Sequence, residues 1–285
     1  MGILFMIISA LNYSTSGVWV AVLGDCGLDT VMLSFTRLLF VVLICLAVCA
    51  VRKTDLRLTR TELLNHVVFG AFGLGLTTFL YDSAARAMSV GPTALCHFTY
   101  PLIVSLISGF VNREKFGKWK AIASVLMFAG LGMASGGGAV TAKGVAFALA
   151  SALTFALYVY ALDHTTMRSE DPFKLNFYNA LASCILMLVL SFVTRGFAVP
   201  AQGTVYLSMV LAAATGLLGG VFLAKGVRIV GASKAAFLSI LEPAAAFIWD
   251  VVIFRTALGA MAVAGVVLTF ASFFAILLDK PKEAA

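Results

Sequence analysis

Apolar runs of about 20 residues follow one another along almost the whole chain, separated by short polar connections. An α-helix rises 1.5 Å per residue, so a run of about 20 residues crosses the roughly 30 Å hydrocarbon core of a bilayer. The pattern predicts ten membrane-spanning helices, roughly 3–23, 30–51, 63–83, 92–111, 119–136, 143–163, 173–194, 204–224, 232–254 and 259–278. The longest polar segments, VRKTDLRLTRTE, NREKFGKWK and DHTTMRSEDP, are too short for a separate soluble domain. The expected class is therefore an all-α integral membrane bundle with short connections.

Two runs depart from the pattern. FLSILEPAAAFIWDVVIFR carries Glu242 and Pro243 near its middle, and CHFTYPLIVSLISGF carries Pro101. A carboxylate at the centre of a membrane helix costs at least roughly 2.5–3.5 kcal/mol on insertion scales, so such residues face a cavity or a partner. A proline removes one N–H and crowds the carbonyl four residues earlier, here Ser239 and His97. Paired helix interruptions in two halves of a membrane chain point to the binding site of a transporter.

Composition agrees: of 285 residues 61% are hydrophobic and 12% charged, with mean hydropathy +1.03. Soluble domains hold about 25% charged residues. The net charge of +7 does not indicate nucleic acid, because the basic residues sit in short connections beside the spans. With the N-terminus inside, 15 of the 20 Lys and Arg fall in inside connections and 4 outside, Arg37 lying within a span. The positive-inside rule therefore puts both termini in the cytoplasm and the protein in the cytoplasmic membrane. The five cysteines form no CxxC or Cys/His ligand pattern, and four lie in apolar runs as small core residues. The first apolar run follows no basic segment and is long enough to span, which reads as a helix rather than a cleaved signal peptide.

The halves repeat at an offset of 142. Ser9, Ala10 and Leu11 match Ser151, Ala152 and Leu153; Arg86 matches Arg228, Pro101 matches Pro243, and Arg113 matches Arg255. Val125, Leu126, Phe128 and Ala129 match Val267, Leu268, Phe270 and Ala271. Five spans per half is an odd number, so the second half enters the membrane inverted. The expected organisation is two inverted five-helix repeats, 1–139 and 140–285, around a central cavity at their interface. The glycines 136–138 at the junction lack the GK[ST] of a phosphate loop and read as a turn.

Three motifs carry a family resemblance. They are Arg37 in FTRLLF; Pro101 with Glu114 thirteen residues later in YPLIVSLISGFVNREKFG; and Gly231, Ala232, Ser233 with Glu242-Pro243 in GASKAAFLSILEP. In this order, over essentially the whole chain, they resemble the EamA-like branch of the drug/metabolite transporter superfamily. That resemblance implies a ten-helix fold with a central cavity and transport of small organic molecules, without fixing the substrate. One departure is plain: the family commonly repeats the late Glu in its second half, whereas here the position is Thr256, preceded by Arg255. The small four-helix multidrug transporters of the superfamily use a Glu in their first helix, and the first span here has no carboxylate. Their proton antiport does not carry over, and coupling to protons stays open.

Glu242 is the first candidate for chemistry. On a continuous helix it shares a face with Ser239, Ala246 and Trp249, at spacings of three, four and seven. Either it binds a cationic group or carries a coupling proton, or it accepts hydrogen bonds from a neighbouring helix and braces the Pro243 break. Arg37 can hold a solute carboxylate through two parallel bonds, or it snorkels or pairs with an acid such as Asp82 or Asp250. Its repeat position is Asn179, a neutral polar group. His97 and Tyr100 line the first interruption as Ser239 and Glu242 line the second; His97 either relays protons or donates one hydrogen bond. Asn12 and Tyr158, polar at mid-span, are read as cavity lining. Asp82, Asp163 and Asp250 sit near span ends within reach of water, and Gly70, Gly73, Gly75, Gly216 and Gly220 permit close helix packing.

The sequence thus reads as a secondary transporter working by alternating access on a small organic solute, such as an amino acid or related amphipathic molecule. A channel or a non-transporting scaffold is the alternative. No HExxH, nucleophile–base or metal-ligand arrangement appears, so neither an enzyme nor a cofactor is expected. The expected partners are the solute and the lipid bilayer, with no nucleic acid, and the chain is a monomer or weak homodimer.

Overall fold

The computed structural model describes residues 1–15, 18–19, 22–23, 30–136, 138–194, 203–255 and 259–279; the side chains at 30, 193–194, 204, 250 and 254 fall outside that description. The Arg37–Asp250 alternative and the positions of Gly137 and Thr256 therefore lie outside the described residues. Among the described residues every regular element is helical. They are α1 (Gly2–Ser14), α2 (Thr30–Val51), α3 (Arg60–Ala87), α4 (Val90–Asn112), α5 (Lys118–Ala134) and α6 (Ala142–His164). They continue with α7 (Pro172–Thr194), α8 (Gly203–Val230), α9 in two segments (Ala232–Leu238 and Leu241–Phe254) and α10 (Ala260–Leu277).

Eight of these, α2, α3, α4, α6, α7, α8, α9 and α10, are long and apolar enough to cross a membrane. Against ten expected spans, α1 has 13 residues and α5 has 17. The remainder of the first predicted span runs into residues outside the described set. The chain is a multi-pass helical membrane protein. Its outward side chains agree: Phe110, Phe192 and Val125 are 86%, 72% and 69% exposed, which suits lipid and would be a liability in water.

Helix packing follows small residues. The heaviest contacts pair α5 with α10, α2 with α7, α1 with α8, and α3 with α6. At the first of these the backbones touch: a Cβ on Gly130 would stand 2.7 Å from the Gly265 carbonyl oxygen, and a Cβ on Gly265 would stand 2.5 Å from that of Gly130. Ser272 adds a 2.6 Å hydrogen bond to the Ala123 carbonyl. On α3, Gly70, Gly73 and Gly75 press against Asn179, Tyr158 and Ser183, whereas Gly216 on α8 meets nothing within 4 Å. Residues His66–Gly75 wind as a π-helix, and the Ser183 hydroxyl donates to the Gly70 carbonyl at 2.9 Å. A side chain inserted into the helical ladder is a known cause of such widening.

Helices α4 and α9 are both broken. In α4, Val90–His97 ends at a turn through Phe98 and Thr99, and Tyr100–Asn112 starts anew with Pro101 in its first turn. There proline is tolerated, since a first-turn N–H has no intrahelical partner to lose. In α9 the turn is Ser239–Ile240 and the second segment begins at Leu241. Glu242 therefore sits in a first turn, not mid-helix, and its N–H bonds the Ser239 carbonyl at 2.9 Å. This corrects the continuous-face expectation: Ser239 belongs to the turn, and only Ala246 and Trp249 share a helix with Glu242.

Two charged clusters fix the start of α9. Asp163 does not reach water; it is 8% exposed, accepts the Ala232 N–H at 2.9 Å and pairs with Arg168 at 2.8 Å. Gly231, at φ +80°, lets the chain turn into this cap. Lys120, 3% exposed, donates to Glu114 at 2.7 Å and to Ser233 at 2.8 Å, and Ser233 also bonds Ser105. This latch gives Glu114 and Ser233 a common partner. Replacing Glu114 by Gln leaves a buried ammonium without its counter-charge. Because Glu114 is itself half-exposed, the expected cost is about 1–2 kcal/mol. Thermal unfolding of Glu114→Gln should show that loss, and the added change Lys120→Met should recover it; equal stability of Glu114→Gln and wild type would contradict the latch.

Candidate functional site

The two breaks meet at the centre of the bundle. Tyr100, the first residue of the second α4 segment, is 1% exposed, donates to the Ala236 carbonyl at 3.4 Å and lies within electrostatic reach of the Ser239 side chain. Each break brings a polar side chain, Tyr100 from one and Ser239 from the other, to this meeting point. Around them lies a run of rings: His97 stands 5.1 Å from Tyr81, 5.5 Å from Tyr100 and 5.6 Å from Phe155. Phe155 in turn meets Tyr100 at 4.8 Å and Tyr158 at 6.0 Å.

Glu242 is the acid of this cluster. Tyr13 from α1, Tyr81 from α3 and Tyr100 from α4 all lie within its electrostatic reach. A helix N-terminus carries a partial positive charge, which suits a carboxylate in the first turn. Arg37 is the nearby cation; it acts on Tyr13 and on Asp82, and Ser34 donates to Asp82 at 3.1 Å. Tyr13 thus lies within electrostatic reach of both an acid and a cation, with its ring against Gly219 of α8. An acid, a cation and aromatic faces in one place can hold a zwitterion or an amine.

The remaining candidates divide. His97 Nδ1 is 2.9 Å from Ser151 Oγ, whose hydroxyl goes to the Ala148 carbonyl, so the ring donates from Nδ1. Asn12 commits its amide to the Ile8 carbonyl of its own helix, and Trp249 donates to Ser14 at 2.8 Å, tying α9 to α1. Tyr158 and Asn179, both fully buried, are joined at 3.3 Å from Asn179 Nδ2 to the hydroxyl. Asn179 Oδ1 lies 2.8 Å from His66 Nδ1, and His66 Nε2 lies 3.0 Å from Glu170 Oε2. Sequence reasoning passed over Tyr81, Phe155, His66 and Glu170. Tyr81 and Phe155 look like ordinary core or interface aromatics. Glu170 stands in a polar connection that reads as solvated, yet it is 5% exposed. No metal-binding cluster of His, Cys, Asp or Glu occurs among the described residues.

Comparison with known proteins agrees with this architecture. The chain is 21% identical over 268 residues to solute carrier family 35 member G1 of Homo sapiens, covering 90% of this chain and 73% of that protein. It is 22% identical to the Mus musculus protein of the same description, covering 89% and 72%. A crystal structure 18% identical to it superposes with a TM-score of 0.82 over 97% of both chains, which shows a shared fold. The EamA-like transporter family model matches residues 1–136 and 142–278. With nearly its full length matched, this chain belongs to the EamA-like transporter family of the drug/metabolite transporter superfamily.

Proposed function

We propose that this transporter carries a small amphipathic solute with a cationic amine, an amino acid or a relative of one, by alternating access of two inverted halves. The observation that carries the reading is Glu242. Its carboxylate opens a half-helix at the meeting point of two helix breaks, within reach of tyrosines from three other helices. The solute's ammonium pairs with Glu242 among the aromatic rings, and its carboxylate lies toward Arg37.

The inverted arrangement, with halves 1–139 and 140–285, is supported by the packing. Exchanging each helix for the one 142 residues away leaves the main pairings unchanged: α1 on α8 becomes α6 on α3, while α2 on α7 and α5 on α10 map onto themselves. The contacts between Gly130 and Gly265 and between Ala123 and Ser272 are exchanged in the same way. Arg113 and Arg255, also 142 apart, both take a left-handed backbone, at φ +56° and +55°. The basic residues of the connections favour cytoplasmic termini in a cytoplasmic membrane.

A thermal-shift screen of the purified protein against amino acids, amines, nucleosides and organic cations tests the substrate class. A ligand at 100 times its dissociation constant should stabilise the fold by about 2.7 kcal/mol. The hit should then show saturable counterflow in proteoliposomes. Stabilisation by nucleosides alone would replace the amine reading, and non-saturating flux would indicate a channel.

A further inference from the structure

His66 and Glu170 are buried ionisable residues that the solute site does not use. They come from different halves, 104 residues apart, and are 1% and 5% exposed. His66 Nε2 faces a carboxylate oxygen of Glu170, and His66 Nδ1 faces the amide oxygen of Asn179. Both are acceptors when Glu170 is ionised, and a neutral imidazole has one N–H to give. Both bonds form only when the pair holds one extra proton. That proton makes His66 an imidazolium donating from both nitrogens, or it sits on Glu170 and is donated to Nε2. Removing it leaves one ring nitrogen as an acceptor.

Asn179 can answer that change. Its Nδ2 now donates to the Tyr158 hydroxyl, and Tyr158 belongs to the central ring cluster. When Nδ1 of His66 becomes an acceptor, a half-turn of the amide gives Nδ2–H to His66 and Oδ1 to the Tyr158 O–H. One proton at the pair thus reverses the direction of the hydrogen bond at Tyr158. The surroundings can accommodate a change of charge there. Glu62 on α3 lies within electrostatic reach of His66, and the Tyr178 ring of α7 lies 5.3 Å from the imidazole. Arg228 of α8 donates to the Met167 and Glu170 carbonyls at 3.1 and 2.5 Å, and Asp171 and Arg168 act on it. Glu170 Oε1 and Arg228 Nε are buried with no hydrogen-bond partner, so a carboxylate oxygen and a guanidinium N–H remain available.

We propose that the His66–Glu170 pair is a proton-binding site and that Asn179 passes its state to Tyr158 in the solute site; the link to transport rests on the transporter reading above. The proton comes from, and returns to, water at the end of the bundle that carries the connection between α6 and α7.

The test is NMR of the full chain in lipid nanodiscs with 15N-labelled histidine and 13Cζ-labelled tyrosine. Only three histidines are present, so His66→Gln assigns the imidazole, and Tyr158→Phe assigns the phenol. As the pH is raised the wild-type His66 signal should pass to a single Nε2–H tautomer, from two N–H where the extra proton is on the ring or from Nδ1–H where it is on Glu170. The Tyr158 signal should shift at the same midpoint. Glu170→Gln should lower the doubly protonated fraction by about tenfold or more. Asn179→Ala should leave His66 titrating while Tyr158 no longer follows. A single neutral tautomer of His66 throughout, or a Tyr158 signal indifferent to a titrating His66, overturns the proposal, and the wild-type spectra alone can decide it. No solute is needed, so this result is independent of the ligand screen: a failed screen counts against the transporter reading and leaves the proton site standing.

Discussion

Glu242→Gln should weaken binding of an amine-bearing solute by about 10–150-fold while leaving the fold intact. A hydrogen bond to a charged group contributes about 1.5–3 kcal/mol, and glutamine keeps the shape of the side chain while losing its charge. The carboxylate stands among Tyr13, Tyr81 and Tyr100, where little water competes for the ammonium. Calorimetric titration of wild type and variant with the screening hit measures the ratio, and Glu242→Asp should recover part of the loss. The structural alternative makes the opposite forecast. If Glu242 only braces the turn at Ser239–Ile240, the variant loses melting temperature and keeps its affinity.

Gly265→Leu should be the most damaging single substitution for stability. A Cβ there would meet the Gly130 carbonyl oxygen at 2.5 Å and the Ala134 nitrogen at 2.6 Å. Both are backbone atoms on a neighbouring helix, so relief requires α5 and α10 to separate along their length. Overpacking costs typically 1–3 kcal/mol and more where backbone must move, which gives about 3 kcal/mol here. For a chain of this size that corresponds to a fall of roughly 6–12 °C in melting temperature. Gly132→Leu is the control, since Gly132 has nothing within 4 Å. Equal melting temperatures for the two variants would contradict the contact.

Much of this was legible without coordinates, because the relevant physics is local. Backbone groups in a bilayer must be satisfied within the helix, so apolar length alone announces each span. Proline acts on its own turn, and both helix breaks end immediately before a Pro-containing segment. The proposed repeat rests on a pattern visible in the sequence, since Pro101 with Pro243, and Arg113 with Arg255, share one offset. The surroundings of the site were less so. Asn12 and Tyr13 are neighbours in sequence and both polar, yet Asn12 bonds its own helix while the Tyr13 ring packs on Gly219 of α8 within electrostatic reach of Glu242. A difference of one residue turns a side chain by about 100° around the helix, and only the packing of α1 on α8 decides which one points inward.

The sequence by itself determined the class, the approximate positions of the eight helices long and apolar enough to span, the two interruptions and the acid at the second of them, since each depends on residues within a few turns of one another. The tertiary structure alone decided that Glu242 opens a helix rather than sitting within one, that Lys120 is clasped by Glu114 and Ser233, and that His66 meets Glu170 from 104 residues away. Those partners lie up to 113 residues apart, and a side chain carries no mark of which distant group will neutralise it. That choice is made when helices from different parts of the chain come together and every buried charge must find its counterpart.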